Sequence, residues 1–187
     1  MGKIVVDRDF LEEPLSGLEF AAYLSAMDLC TIHREEYVLC DVTVYYNMCG
    51  KFPNRKQKVE LNEALYGLME KGYIVGELIS RGVYLVKCKQ SFWVNLSALP
   101  HGGAPLEFES VRKIVGSGKS WQDLLRYYLM LVAHMRMGDK CALSRQYFSG
   151  KTGISQVTLS KYNTALVELG VLKITHRKNM PSIYLTL

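Results

Sequence analysis

A polar stripe near the carboxyl end of the chain carries side chains suited to recognition chemistry. Apolar residues recur at helical spacing over residues 154–169, and the opposite face presents small, polar or cationic side chains. No acid enters before Glu168, in the last turn. Glutamine bonds adenine, valine meets a thymine methyl group, and lysine, serine and threonine bond phosphates or bases. The stripe therefore predicts a helix that enters the DNA major groove through Gln156, Val157, Ser160, Lys161 and Thr164.

Polar and basic residues flank this helix. Arg145 and Gln146 open the preceding short helix, where contacts to the DNA backbone are usual, and Ser155 is the expected N-cap of the recognition helix. Arg177 and Lys178 lie at the tip of a predicted β-hairpin, where they face an adjacent phosphate row or the minor groove. The same pattern also suits a solvated surface or a protein-interaction module, and both alternatives stay open.

A second basic segment lies in the first half of the chain. Residues 51–58, KFPNRKQK, hold four lysines or arginines and no acid. The helix that starts here carries Glu63 and Glu70 further along, and acids are repelled from a DNA groove. We therefore expect phosphate contact from the start of this helix only, with the acidic surface of residues 1–50 turned to a protein partner or second subunit. The cations that open the helix are Arg55, Lys56 and Lys58.

Charge is segregated along the chain. The 187 residues carry a net charge of +5, but residues 1–90 hold 11 Lys/Arg against 13 Asp/Glu, whereas residues 91–187 hold 12 against 5. A basic half is typical of a phosphate-binding surface. We therefore expect double-stranded DNA as the partner of the second half, and replication proteins or self-association as the partners of the first.

The elements that must position these residues follow the same order in both halves. Each half has a periodic helix, a short second helix, a third helix that ends near glycine, and an alternating hairpin. This order predicts a mainly α chain with small β-hairpin wings, arranged as tandem winged helix-turn-helix domains. The predicted domains are an N-terminal winged-helix-like domain, a Pro/Gly-rich linker and a C-terminal DNA-binding winged helix, over 1–96, 97–110 and 111–187. The predicted long helices and hairpins span 18–29, 54–71, 77–86, 120–137, 154–169 and 171–187.

Other chemistries lack the residues they need. Residues 115–120, VGSGKS, resemble the end of a phosphate-binding P-loop, but Lys113 stands where that motif requires glycine. The five cysteines and four histidines lack the short spacing of a metal site, and no nucleophile–base–acid set stands out. No apolar run approaches the ~18 residues of a membrane span. We therefore expect a cytoplasmic protein that is not an enzyme and uses no metal, cofactor or membrane.

The segment from Leu124 to Ile174 resembles a known family. Its LLRYYL, SRQY and GIS runs, with Tyr162, Asn163 and Leu166, stand at places that match the winged-helix module of bacterial plasmid and phage replication initiators and DnaD-like replisome organisers. The resemblance implies sequence-specific binding of duplex DNA in the replication initiation of a plasmid, phage or mobile element. Transcription regulators share this core, so transcription control stays an alternative, as does a tandem winged-helix interaction or dimerisation module.

Overall fold

The computed structural model describes residues 3–33, 35, 37–80, 83–88, 102–118, 120–135, 140–178 and 180–187. Several sequence predictions fall partly outside these ranges. Among them are the hairpins over 77–86 and 171–187, which include residues 81–82 and 179, and the VGSGKS run, which includes Lys119. The first five residues of the predicted linker, 97–101, are not among the described residues, and neither are the last two of the predicted helix over 120–137.

Helices and strands follow one another in the same order in the two halves. Asn54 and Gln57 form a reciprocal capping box with two bonds of 2.9 Å, which fixes the start of the 16-residue helix Arg55–Glu70. The elements before residue 90 are β1 Lys3–Asp7, α1 Arg8–Leu11, α2 Gly17–His33, β2 Tyr37–Cys40, α3 Val42–Cys49, α4 Arg55–Glu70, β3 Ile74–Ser80 and β4 Val83–Cys88. The elements after residue 102 are β5 Gly103–Glu107, α5 Phe108–Val115, α6 Trp121–His134, β6 Lys140–Leu143, α7 Arg145–Thr152, α8 Gln156–Glu168, β7 Leu172–Arg177 and β8 Met180–Thr186.

The strands form three small antiparallel sheets, with the orders β1-β5, β2-β4-β3 and β6-β8-β7. Over the described residues the chain is 55% helical and 27% strand, which is a mixed α/β composition. The predicted mainly α class with hairpin wings, as tandem winged helix-turn-helix domains, is therefore wrong. The prediction missed strands β2 and β6, each of which adds a third strand to a hairpin. Both have only four residues, which is too short to give a clear alternating pattern.

Strand β5 occupies part of the segment predicted as a linker. It pairs with β1 in antiparallel register, with Val5 opposite Pro105, and the chain passes directly from β5 into α5. This pairing joins residues about 100 positions apart, which no local pattern predicts. The division of the chain at residues 97–110 stays a prediction.

One cluster of buried apolar side chains runs through both halves of the chain. Tyr23 and Leu24 of α2 belong to it together with Tyr127 and Tyr128 of α6, all almost fully buried. Helices α2 and α6 are in contact, and α1 also contacts α6. The first half is therefore packed against the helix that supports the basic half.

Polar contacts also join the two halves. The Arg112 side chain on α5 donates to the backbone oxygen and to Oδ1 of Asn47 on α3, at 2.7 and 2.6 Å. Asn47 Nδ2 in turn donates to Asp28 Oδ2 on α2 at 3.1 Å. Burial raises the pKa of Asp28, while the Asn47 hydrogen bond and the Arg112 charge oppose that rise. This chain of bonds fixes α5 against α2 and α3.

Replacement of Gly17 tests the packing of α2 on α6. A Cβ atom at this position would lie 2.5 Å from Gln122 Cα, so Gly17→Ala forces the backbones of two helices apart. We expect a loss of about 1–3 kcal/mol in the free energy of unfolding, measured by urea denaturation. Gly150→Ala is the matched control, because a Cβ on this glycine of α7 meets nothing within 4 Å. An equal effect of both changes would contradict close packing of α2 on α6.

Candidate nucleic-acid interface

The turn between α7 and α8 is fixed by local side-chain bonds. Gly153 ends α7 with a left-handed φ of 70°, and the Ile154 amide donates to Thr152 Oγ1 at 3.1 Å. Ser155 is the N-cap of α8, as predicted, and its hydroxyl accepts from the Thr158 amide at 3.1 Å. These residues set the angle at which α8 leaves α7.

The predicted recognition stripe of α8 lies open to solvent. All five of its side chains are exposed, and Val157 retains 68% of its accessible surface. The Thr164 hydroxyl donates to the Ser160 backbone oxygen at 3.1 Å, so part of its hydrogen-bonding capacity is used within the helix. The exposed members are Gln156, Val157, Ser160, Lys161 and Thr164.

A buried polar network holds the opposite face of α8. Asn163 Oδ1 accepts from the Tyr127 hydroxyl of α6 at 2.7 Å, and Asn163 also bonds the Tyr184 side chain of β8. Burial raises the pKa values of both tyrosines. Leu159 and Leu166 pack on the same side and are fully buried. Helix α8 is therefore bound to both α6 and the sheet beneath it.

An ion pair joins the C-terminal end of helix α7 to the first half of the chain. Lys151 Nζ donates to both carboxylate oxygens of Glu12, each at 2.9 Å, and lies 3.2 Å from His134 Nε2. Because an ammonium group only donates, Nε2 must be the acceptor in that contact, and Nδ1 then donates to the Met130 backbone oxygen at 2.8 Å. Residues from α6, α7 and the segment after α1 thus meet at one point.

Two grooves meet around Arg145, the first residue of α7. One, of about 530 Å³, runs between α8 and β7, and the other, of about 620 Å³, lies between the start of α7 and the β7–β8 hairpin. Arg145 and His176 line both grooves. The structure thereby brings together residues predicted from three elements: Arg145 of α7, Ser160 and Thr164 of α8, and Arg177 of the hairpin.

Sequence reasoning missed two residues of these grooves. Lys173 and His176 are exposed on β7 and line the groove beside α8, together with Glu168 at the end of that helix. The alternation of β7, in which Lys173 is exposed and its neighbour Leu172 is buried, is the signal that identifies Lys173. No local pattern brings His176 to Arg145.

The hairpin tip has two basic residues with different surroundings. The Arg177 guanidinium donates through Nε and Nη2 to the Pro181 backbone oxygen, at 3.0 and 2.8 Å, and the residue is half-buried. Lys178 lies in the turn itself and is exposed. Arg177 therefore braces the tip, while Lys178 presents its charge to solvent.

The remaining predicted residues are also exposed. Gln146 follows Arg145 in the first turn of α7. In the first half, Arg55, Lys56 and Lys58 lie at the start of α4, where Lys56 is 3.6 Å from Glu60. Arg55 and Lys58 line a separate groove of about 430 Å³ with Asp41. The structure does not bring these three cations into either groove around Arg145.

Comparisons with known proteins do not identify the chain, because no protein-family model and no curated protein sequence matches it. In the described part of the chain, no helix is both long and apolar enough to cross a membrane.

Proposed function

We propose that the chain is a cytoplasmic, non-enzymatic protein that binds duplex DNA sequence-specifically through α7, α8 and the β7–β8 hairpin. The observation that carries the proposal is the exposed stripe of α8, which holds no acid over its first three turns and borders a groove with Arg145, Lys173 and His176. A helix fits the major groove of DNA, and cations beside it compensate the phosphates on either side.

The residues of the interface divide into two roles. Gln156, Val157 and Ser160 face the base edges from the first turns of α8. The cations and the remaining polar residues of α7 and α8 contact the DNA backbone, because phosphates lie beside the groove that the helix enters. The backbone set is Arg145, Gln146, Ser155, Lys161, Thr164, Arg177 and Lys178, and Arg55, Lys56 and Lys58 add phosphate contact from the first half.

The biological setting follows from the resemblance. We propose replication initiation of a bacterial plasmid, phage or mobile element, in which the first half contacts replication proteins or a second copy. Transcription regulation is the alternative, because the same surface would serve a repressor equally well.

Direct binding tests the proposal. Fluorescence anisotropy of a labelled random duplex, titrated with the full chain at about 50 and 200 mM salt, is expected to show affinity that falls steeply with salt. Absence of binding even at the lower salt concentration would overturn the proposal.

A protein-interaction module is the second candidate function, because strand β3 exposes apolar side chains at the edge of its sheet. Val75, Leu78 and Ile79 are all more than half exposed, and β3 has a described partner strand on one side only. Failure to bind duplex at low salt, together with self-association in analytical ultracentrifugation, would favour this second function.

Replacement of Gln156 tests base recognition. Gln156→Ala removes the side chain that bonds a base edge, so we expect discrimination at one base-pair position to fall by about 1–3 kcal/mol while other positions keep theirs. Binding-site selection from a random duplex library measures this. Lys161→Ala is the control, because removal of a phosphate-binding cation weakens all sequences alike. If Gln156→Ala selects the same DNA site as the unaltered chain, Gln156 does not contact a base.

A further inference from the structure

Helix α3 and the loop that follows it present two neighbouring aromatic rings to solvent. Tyr46 in the last turn of α3 and Phe52 in the loop have ring centroids 4.9 Å apart and planes tilted by 30°. Tyr46 is 47% exposed and Phe52 is 72% exposed. Their mutual contact leaves much of both ring surfaces uncovered by the rest of the described chain.

The loop that carries Phe52 is short and held at several points. Gly50 adopts a left-handed φ of 70°, and its amide donates to the Tyr46 backbone oxygen at 2.7 Å. The Cys49 thiol donates to the Tyr45 backbone oxygen at 3.3 Å and also lies 3.6 Å from the Lys51 backbone oxygen. Pro53 is buried, and Asn54 caps α4 immediately afterwards. These contacts hold the backbone on both sides of Phe52, and the two rings form the centre of an exposed platform.

The surroundings of this platform are cationic. Residues 50–59 hold four exposed lysines or arginines and no acid. Two acids lie beside these cations: Glu60, which pairs with Lys56, and Asp41, which shares a groove with Arg55 and Lys58. Lys51 lies directly beside Phe52 in the chain and is exposed. An apolar protein partner would gain little from these charges, whereas a polyanion that also offers flat apolar faces is complementary to both features.

We propose that this platform, defined by Tyr46, Phe52 and the cations Lys51, Arg55, Lys56 and Lys58, binds single-stranded nucleic acid. Unpaired bases stack on the two rings while the cations contact the adjoining phosphates. Duplex DNA does not fit the rings, because its base faces are already stacked and insertion would require unstacking a base step. The site lies apart from the grooves around Arg145. It shares its three α4 cations with the duplex phosphate contact proposed above and goes beyond that contact, because its rings require unpaired bases.

Binding of single strands by point variants tests this site. The probe is a fluorescently labelled oligothymidine of about 12 nucleotides, titrated with the full chain. Phe52→Ala is expected to weaken binding roughly tenfold, because base–aromatic stacking contributes about that factor per base. Lys51→Ala with Lys56→Ala should lower the slope of log affinity against log salt by about 0.7 for each phosphate that is no longer neutralised. Phe52 is mostly exposed, so its truncation should leave the unfolding transition unchanged.

Three further variants separate stacking from other effects. Tyr66→Ala is the matched control, since Tyr66 is a 56% exposed aromatic of α4 beside Glu70 and should not affect single-strand affinity. Phe52→Trp should retain binding, and its added fluorescence should be quenched when bases stack on the ring. Lys161→Glu with Lys178→Glu, at two residues of the duplex interface, should weaken oligothymidine binding far less than duplex binding. That last result separates failure of this site from failure of the duplex interface.

Three contrary outcomes would overturn the proposal. The first is absence of oligothymidine binding by the unaltered chain. The second is equal affinity of Phe52→Ala and the unaltered chain for oligothymidine. It would mean that only the cations bind the strand and that bases do not stack on the Phe52 ring. The third is an equal decrease of duplex and single-strand binding in Phe52→Ala, which would show that the rings do not select unpaired bases.

Discussion

Replacement of Lys161 and Lys178 by glutamate is expected to weaken duplex binding by somewhat more than 100-fold. Both lysines are exposed, and neither pairs with an acid within the described part of the chain, so their charges are available to a partner. A hydrogen bond to a charged group contributes about 1.5 kcal/mol or more, and each 1.4 kcal/mol corresponds to a factor of ten. Because two phosphates are no longer neutralised, the salt slope should also fall by about 1.8.

A matched charge change elsewhere controls for net charge. Lys113 of α5 and Arg126 of α6 are exposed and line neither groove around Arg145. Their replacement by glutamate changes the net charge equally, and we expect a much smaller effect on affinity and slope. Anisotropy titrations over several salt concentrations measure both quantities. Similar decreases in the two double variants would mean that duplex binding depends on overall charge, which would contradict the assignment of this surface.

Replacement of Asn163 by leucine is expected to lower the free energy of unfolding by about 2–4 kcal/mol. Asn163 is buried between the Tyr127 and Tyr184 side chains, and leucine leaves the Tyr127 hydroxyl without the acceptor that it has at 2.7 Å. A buried polar group without a partner costs about 1–3 kcal/mol, and two tyrosines are affected here. Urea denaturation followed by circular dichroism measures the change.

A double-mutant cycle identifies the cause of that destabilisation. Tyr127→Phe removes the hydroxyl that Asn163→Leu leaves unsatisfied, so the combined variant should be more stable than the sum of the two changes predicts. Thr164→Leu is the control on the exposed face of the same helix, and we expect it to change stability by less than about 0.5 kcal/mol. Strict additivity of the Tyr127 and Asn163 changes would contradict the network.

The strands show how much of the fold the local sequence leaves open. Helices such as α4 and α8 are predicted within two residues of their observed ends, because their apolar periodicity and caps are contained in the helix itself. Local patterns do not predict strands β2, β5 and β6, and they place β5 in a linker. Each has only four or five residues, and each becomes a strand by pairing with a distant segment.

Asn163 is a single side chain whose burial the local sequence pattern does not predict. A polar residue on the buried face of a helix interrupts the apolar pattern, and its burial is explained only by partners on α6 and β8. The sequence places Tyr127 and Tyr184 more than 20 residues away on either side. Their meeting point is a property of the packed molecule.

The sequence by itself determined the chemistry of the α8 stripe, because the 3.6-residue repeat decides which side chains share a face, and Ser155 decides where the helix begins. Only the tertiary structure decided which polar side chains stand beside that stripe. It placed Lys173 and His176 in one groove with Arg145, and it turned Arg177 toward the Pro181 carbonyl. The physical reason is that helical periodicity acts over neighbouring residues, whereas a groove between a helix and a sheet exists only once distant segments have packed.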